Sequence, residues 1–127
     1  MRCGRAVRVR RSVRINKPWN LEADDLSLFG DDVFINADKP IRVGKRCVVS
    51  QHARLITRAG DPETRGKTDR TGSIMIENDC WIAADIIVMP GSHIEEGVVV
   101  GARGFVVGRL PKWPICTGDP AVFRGDR

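Results

Sequence analysis

A chain of 127 residues, 42% of them hydrophobic and 29% charged, has the size of one domain built on a single core. No apolar run approaches the roughly 18 residues of a membrane span, and the start "MRCGRAVRVRRSVR" has no uninterrupted apolar stretch of the signal-peptide kind, so the expected location is the cytoplasm. The net charge of +5 is local: residues 1–17 hold seven Arg and Lys and no acid, which leaves 14 basic and 16 acidic side chains in the other 110 residues.

In that basic start, Arg10, Arg11 and Arg14 alternate with Val9, Val13 and Ile15. This reads as the outward face of a strand, where charge discourages end-to-end pairing. No aromatic interleaving or binding motif accompanies it, so neither a nucleic-acid partner nor membrane insertion is expected.

From there an aliphatic or aromatic residue recurs every six positions: Val9 and Ile15, then Ala23, Phe29 and Ile35, then Val43, Val49 and Leu55, then Ile76, Ile82, Val88, Ile94, Val100 and Val106. Helices would need spacings of three and four. A hexad instead describes short strand, turn, short strand, and three hexads make one coil of a triangular prism. The spacing slips to eight at Ile15–Ala23 and at Ile35–Val43, and to twenty-one at Leu55–Ile76. All three slips follow the third face, so insertions of two, two and fifteen residues are expected at one corner of successive coils. In solenoids such insertions commonly gather on the binding face.

The protruding loop spans about residues 58–74. Residues 58–72 include three glycines, Pro62 and seven charged side chains, a composition that must be solvated or meet a partner. Residues from about 111 to 127 are expected to form a C-terminal cap, completing one domain over 1–127. Cys3, Cys47, Cys80 and Cys116 show no CxxC spacing and no adjacent histidine pair, so reduced structural thiols are expected and no metal site. Cys47 and Cys80 fall at one hexad position on adjacent coils and should stack about one strand spacing, ~4.8 Å, apart.

These hexads, with "PWNLE" (18–22), "VVSQHARLIT" (48–57), "WIAADIIVMPG" (81–91), "GVVVGARGFVVG" (97–108) and "GDPAVFR" (118–124), resemble the hexapeptide-repeat acyltransferases. The nearest likeness is to sugar O-acetyltransferases of the colanic-acid type, related to maltose and galactoside acetyltransferases. The resemblance implies an all-β fold, a left-handed parallel β-helix with one long loop at a prism corner, and a homotrimer with active sites between subunits. It implies acetyl-CoA as co-substrate, no metal, and a sugar or polysaccharide-precursor hydroxyl as acceptor. A loop histidine would act as general base, since a sugar hydroxyl is a poor nucleophile until an imidazole removes its proton. By position, Trp81, Ala83 and Ala84 would line the pantetheine path and Gly101 and Ala102 would offer backbone groups to it, small residues allowing close approach. Asn36 and Asp38 would bind the acceptor.

The chain departs from the family's pattern where it matters most. Relatives open the loop with a Thr-Gly-Ser-His-Asp-like sequence; residues 57–61 here read "TRAGD", so Gly60 stands at the position of the base and Asp61 follows it. Beyond the last hexad the family's Thr-Lys-Asp is replaced by Val107-Gly108-Arg109, and Val122 stands in place of a basic residue after Pro120-Ala121. Arg109 and Arg124 are the nearby candidates for the cofactor's phosphates. His52 and His93 alone are left to replace the base. His52 sits at an outward hexad position, whereas His93 shares with Gly60 the sixth hexad place at the third-face corner. If the loop simply bulges, the two Cα atoms should lie about one strand spacing, ~4.8 Å, apart along the axis. His93 is therefore the candidate replacement base. The competing expectation is a non-catalytic trimeric β-helix that binds CoA, a sugar or a protein. A zinc-dependent carbonic anhydrase on this fold is excluded, because it needs three histidines and the chain has two.

Overall fold

A computed structural model describes residues 1–60 and 69–111, and the strand backbone of 114–117 and 122–126. The first coil contains β1 (Arg2–Cys3), β2 (Arg8–Val9) and β3 (Arg14–Asn16), followed by a short 3-10 turn at Pro18–Asn20. The second contains β4 (Leu21–Ala23), β5 (Leu28–Phe29) and β6 (Phe34–Asn36), and the third β7 (Ile41–Val43), β8 (Val48–Val49) and β9 (Arg54–Ile56). An arm follows, β10 (Arg58–Gly60) and β11 (Asp69–Thr71). Coil four is β12 (Ile74–Ile76), β13 (Trp81–Ile82) and β14 (Ile87–Val88); coil five is β15 (His93–Ile94), β16 (Val99–Val100) and β17 (Phe105–Val106). The chain ends with β18 (Arg109–Leu110), β19 (Pro114–Thr117) and β20 (Val122–Asp126).

Strands of successive coils pair in parallel into three sheets: β1-β4-β7-β12-β15-β18, β2-β5-β8-β13-β16-β19 and β3-β6-β9-β14-β17 form the first, second and third faces. On the face strands from β4 to β17 the hexad residue is buried. Ile35, Leu55, Val88 and Val106 stack on the third face, and Phe29, Val49, Ile82 and Val100 on the second, all fully buried. Each such side chain contributes ~1.5–3 kcal/mol by leaving water, and stacking like on like fills the prism without large voids. This is the triangular coil expected from the hexads, and the left-handed parallel β-helix that the resemblance implies.

The corners carry the backbone's exceptional conformations. Ala6, Leu26, Arg46 and Asp79 have φ between 54° and 64° at the first-to-second corner, and Asp32, His52, Asp85 and Arg103 have φ between 57° and 63° at the second-to-third. A sharp turn every six residues needs a left-handed residue, and the chain bears its cost of about 1–2 kcal/mol at non-glycine positions.

All variation in coil length falls at the third-to-first corner. Beyond the three insertions, Leu110 takes the first-face place opposite Ile94 only four residues after Val106, so this corner is also where the last coil is shortened. Parallel pairing continues through β18 and β19 into the segment expected as a cap, and β20 then turns antiparallel on β19.

Candidate active site along two corners of the prism

At the third-to-first corner, short polar side chains bond backbone across coils, the role that suits Asn and Thr outside regular structure. Asn16 Oδ1 accepts the Ala37 N–H at 2.7 Å and Asn20 Nδ2 donates to the Ala37 carbonyl at 2.8 Å. Thr57 Oγ1 donates to the Asn36 carbonyl at 2.8 Å and accepts the Lys39 N–H at 3.1 Å. The Asn36–Asp38 turn is thus held from the coils on both sides. Lys17 Nζ lies 2.9 Å from Asp38 Oδ1, Arg58 Nη1 lies 3.8 Å from Oδ2, and Arg58 Nε donates to Asp69 Oδ2 at 2.7 Å. The Lys17 hydrogen bond, helped by Asn36 and the Arg58 charge, holds the Asp38 carboxyl below its ordinary range of about 3.8 against the opposing pull of partial burial.

The insertion does not simply bulge. Its limbs pair as an antiparallel arm with Arg58 opposite Thr71 and Gly60 opposite Asp69. The base is closed by the Gly72 N–H on the Thr57 carbonyl at 3.0 Å, and Gly72 sits so close to the next coil that an added Cβ would lie 2.7 Å from the Gly91 nitrogen. Gly60 therefore stands two residues out along the arm, ~6.6 Å at the usual rise, and not stacked directly on the coil of His93. Asp61 lies outside the described residues.

His93 is on the first face, between Met75 and Arg109. Its ring Nε2 is hydrogen-bonded to Glu77 Oε2, and its side chain is 40% exposed. One coil further, Arg109 makes the same diagonal contact with Glu95, whose side chain is 8% exposed. His52 lies on the other side of the prism, at the second-to-third corner, 3.8 Å from Asp32.

The residues expected along the cofactor path come together at the second-to-third corner. Trp81 is 48% exposed on the second face, with its Nε1–H donated to Ser50 Oγ at 3.1 Å. Ala83 and Ala84 turn the corner beside it and are met by the next coil: Ala83 N–H donates to the Val100 carbonyl and Arg103 N–H to the Ala84 carbonyl. Gly101 and Ala102 lie between those last two partners in sequence, so the small residues of two coils form one smooth edge. Arg109 is not brought to that edge; its guanidinium is held by Glu95 on the first face. Arg124 lies on β20, and its side chain is outside the described residues.

Cys47 and Cys80 are buried free thiols on adjacent coils, donating to the Glu77 carbonyl at 2.9 Å and the Glu95 carbonyl at 3.1 Å. The contact with Cys47, together with burial, pushes the Cys80 thiol far above its usual range. Cys3 is exposed. The sequence reading missed Lys17, Arg58, Glu77 and Glu95 as members of the site. A signal existed for the last two, since Ile-Glu recurs at 76–77 and 94–95, one coil apart.

No protein-family model matches the chain. A protein named as a colanic acid biosynthesis acetyltransferase, WcaF of Escherichia coli K12, is 39% identical over 124 residues, covering 98% of this chain and 68% of its own. Among solved structures, a hexapeptide-repeat acetyltransferase of Vibrio cholerae superposes with a TM-score of 0.92 at 20% identity, over 98% of this chain and 73% of that one. The same Vibrio cholerae protein has also been solved in complex with acetyl-CoA. A maltose O-acetyltransferase of Clostridium difficile 630 gives 0.87 at 20% identity, over 97% and 67%.

Proposed function

The chain belongs to the hexapeptide-repeat acetyltransferases, and from that premise we propose that it transfers the acetyl group of acetyl-CoA to a hydroxyl of a sugar or polysaccharide precursor. The observation that carries this reading is the 39% identity across 98% of the chain to a relative named for colanic acid biosynthesis.

In this reading Asn36 and Asp38 bind acceptor hydroxyls, and the Lys17 and Arg58 contacts keep Asp38 ionised to do so. Trp81, Ala83, Ala84, Gly101 and Ala102 hold the pantetheine arm, and Arg124 serves the phosphates, since Arg109 is held away from that edge by Glu95. His93 takes the place of the base absent at Gly60. Glu77 fixes its Nε2–H and leaves Nδ1 to receive the acceptor's proton. The oxygen attacks the thioester carbonyl, the C–O bond of the ester forms as the C–S bond breaks, and the CoA thiolate recovers the proton from His93. Asp61 belongs to the same group by position.

Within one chain the acceptor corner and the cofactor edge are different corners of the prism. A homotrimer, in which the acceptor corner of one copy faces the cofactor edge of the next, joins them. The proposal places the enzyme in the cytoplasm. Gly60 favours a second reading, a trimer that binds CoA or sugar without turnover. Purified protein with acetyl-CoA and a panel of sugars separates the two: acceptor-dependent thiol release supports transfer, and saturable acetyl-CoA binding without release supports the second reading.

A further inference from the structure

The third face presents an outward row that the proposed chemistry does not use. Arg14, Phe34 and Arg54 are direct neighbours on β3, β6 and β9, so the two arginines are two strand spacings apart, ~10 Å, with the aromatic ring between them. They border a cleft of about 400 Å³ that Ser12, Asp32, the buried Val33 and His52 also line.

Charge in this cleft is unbalanced. Asp31 is met by Arg10 at 3.3 Å and by the Ser12 hydroxyl at 3.3 Å, and Asp32 faces His52 at 3.8 Å. Arg14 and Arg54 have no acidic partner among the described residues. Two unmatched guanidiniums on either side of an aromatic ring suit an anion with several oxygens, because the planar fork matches phosphate oxygens in pairs.

The cleft opens at the second-to-third corner, and the third face alone separates it from the acceptor corner. Phe34 and Asn36 project from the same side of β6, two residues and ~6.6 Å apart, about the reach of one sugar ring. Resting on the assignment of Asn36 and Asp38 to the acceptor, we propose that Arg14, Phe34 and Arg54 form a subsite for a phosphate or diphosphate group carried by the acceptor sugar. The substrate class is then a glycosyl phosphate or diphosphate, and a free neutral sugar lacks the group this cleft binds.

The test is binding of inorganic pyrophosphate and of glucose 1-phosphate to the full chain, followed by calorimetry and by thermal shift, beside an Arg14→Gln/Arg54→Gln variant whose unfolding temperature without ligand verifies that it folds. Loss of two charge-assisted contacts predicts about hundredfold weaker pyrophosphate binding in the variant, and a steep fall of wild-type affinity with salt. Binding that is absent from the wild type, or equal in the two proteins, overturns the subsite. Phosphatidylcholine vesicles with and without phosphatidate form the third arm. Adhesion to the anionic vesicles with no binding of either soluble probe also overturns it, in favour of a membrane surface. Acetyl-CoA binding is measured in parallel, so that failure of the transferase reading is distinguished from failure of the subsite.

Discussion

His93 meets Glu77 across adjacent coils in the relation that Arg109 has to Glu95 one coil further along. Arg109 cannot act as a base, so the diagonal by itself is a structural contact, and a substitution can separate its structural from its chemical use. His93→Arg keeps a hydrogen-bond donor opposite Glu77 and is expected to leave the unfolding temperature unchanged. If His93 is the base, acetyl transfer falls by ~10²–10⁴-fold. Introducing Gly60→His into that variant, at the family's usual place on the arm, is expected to restore part of the turnover. Thiol release measured on the three proteins checks both statements, and full activity in His93→Arg ends the assignment.

Asp38 links the acceptor corner to acid stability. Its carboxyl is held below 3.8 by Lys17 first and by Asn36 and Arg58 after it. A lowered native pKa means that the native state binds fewer protons than the unfolded chain, so the contribution is full above pH 4 or so and is lost as pH falls through the native value. Wild type and Asp38→Asn should therefore differ by a constant amount near neutrality and converge in the acid limb. Urea unfolding at a series of pH values measures this.

The arm is seated by the approach of Gly72 to Gly91. A Cβ at position 72 would meet backbone at 2.7 Å, whereas one at position 91 meets nothing within 4 Å and suffers only from its φ of 79°. Gly72→Ala is expected to cost ~1–3 kcal/mol through overpacking and Gly91→Ala ~1–2 kcal/mol through backbone strain. Only Gly72→Ala should also reduce turnover, because it displaces the base of the arm. Denaturant melts and initial rates on both variants give the comparison.

The coil register was legible because aliphatic or aromatic residues recur every six positions from Val9, buried from Ala23 to Val106, and because insertions interrupt that count visibly. The corner of the insertions followed from the same count. Other features left no mark of this kind. The pairing of Arg58 with Thr71 joins polar residues with no alternation to betray a strand. The contacts of Asp38 with Lys17 and Arg58 join side chains from separate coils, brought together only by stacking. The shortened turn from Val106 to Leu110 broke the hexad count just where apolar periodicity runs out. The resemblance located Gly60 at the place of the base, but the arm's pairing sets how far it stands from the coil of His93.

Thiol chemistry should divide the cysteines sharply. Exposed Cys3 should be alkylated within minutes by iodoacetamide near neutral pH, while Cys47 and Cys80 react only after denaturation, since both are buried and Cys80 is held protonated. Peptide mapping by mass spectrometry after a timed pulse reads each position separately. Labelling of Cys80 at the rate of Cys3 would contradict the burial of the two thiols at the first-to-second corner.

The most direct measurement is simultaneous assay of CoA thiol release and of acceptor mass, with purified protein, acetyl-CoA and sugars with and without a phosphate group. Thiol is expected to appear only when an acceptor is present, in step with the mass increase of one acetyl group on that acceptor. Acetyl-CoA that binds saturably while no acceptor, phosphorylated or not, gains an acetyl group would contradict it and leave the fold as a binding scaffold.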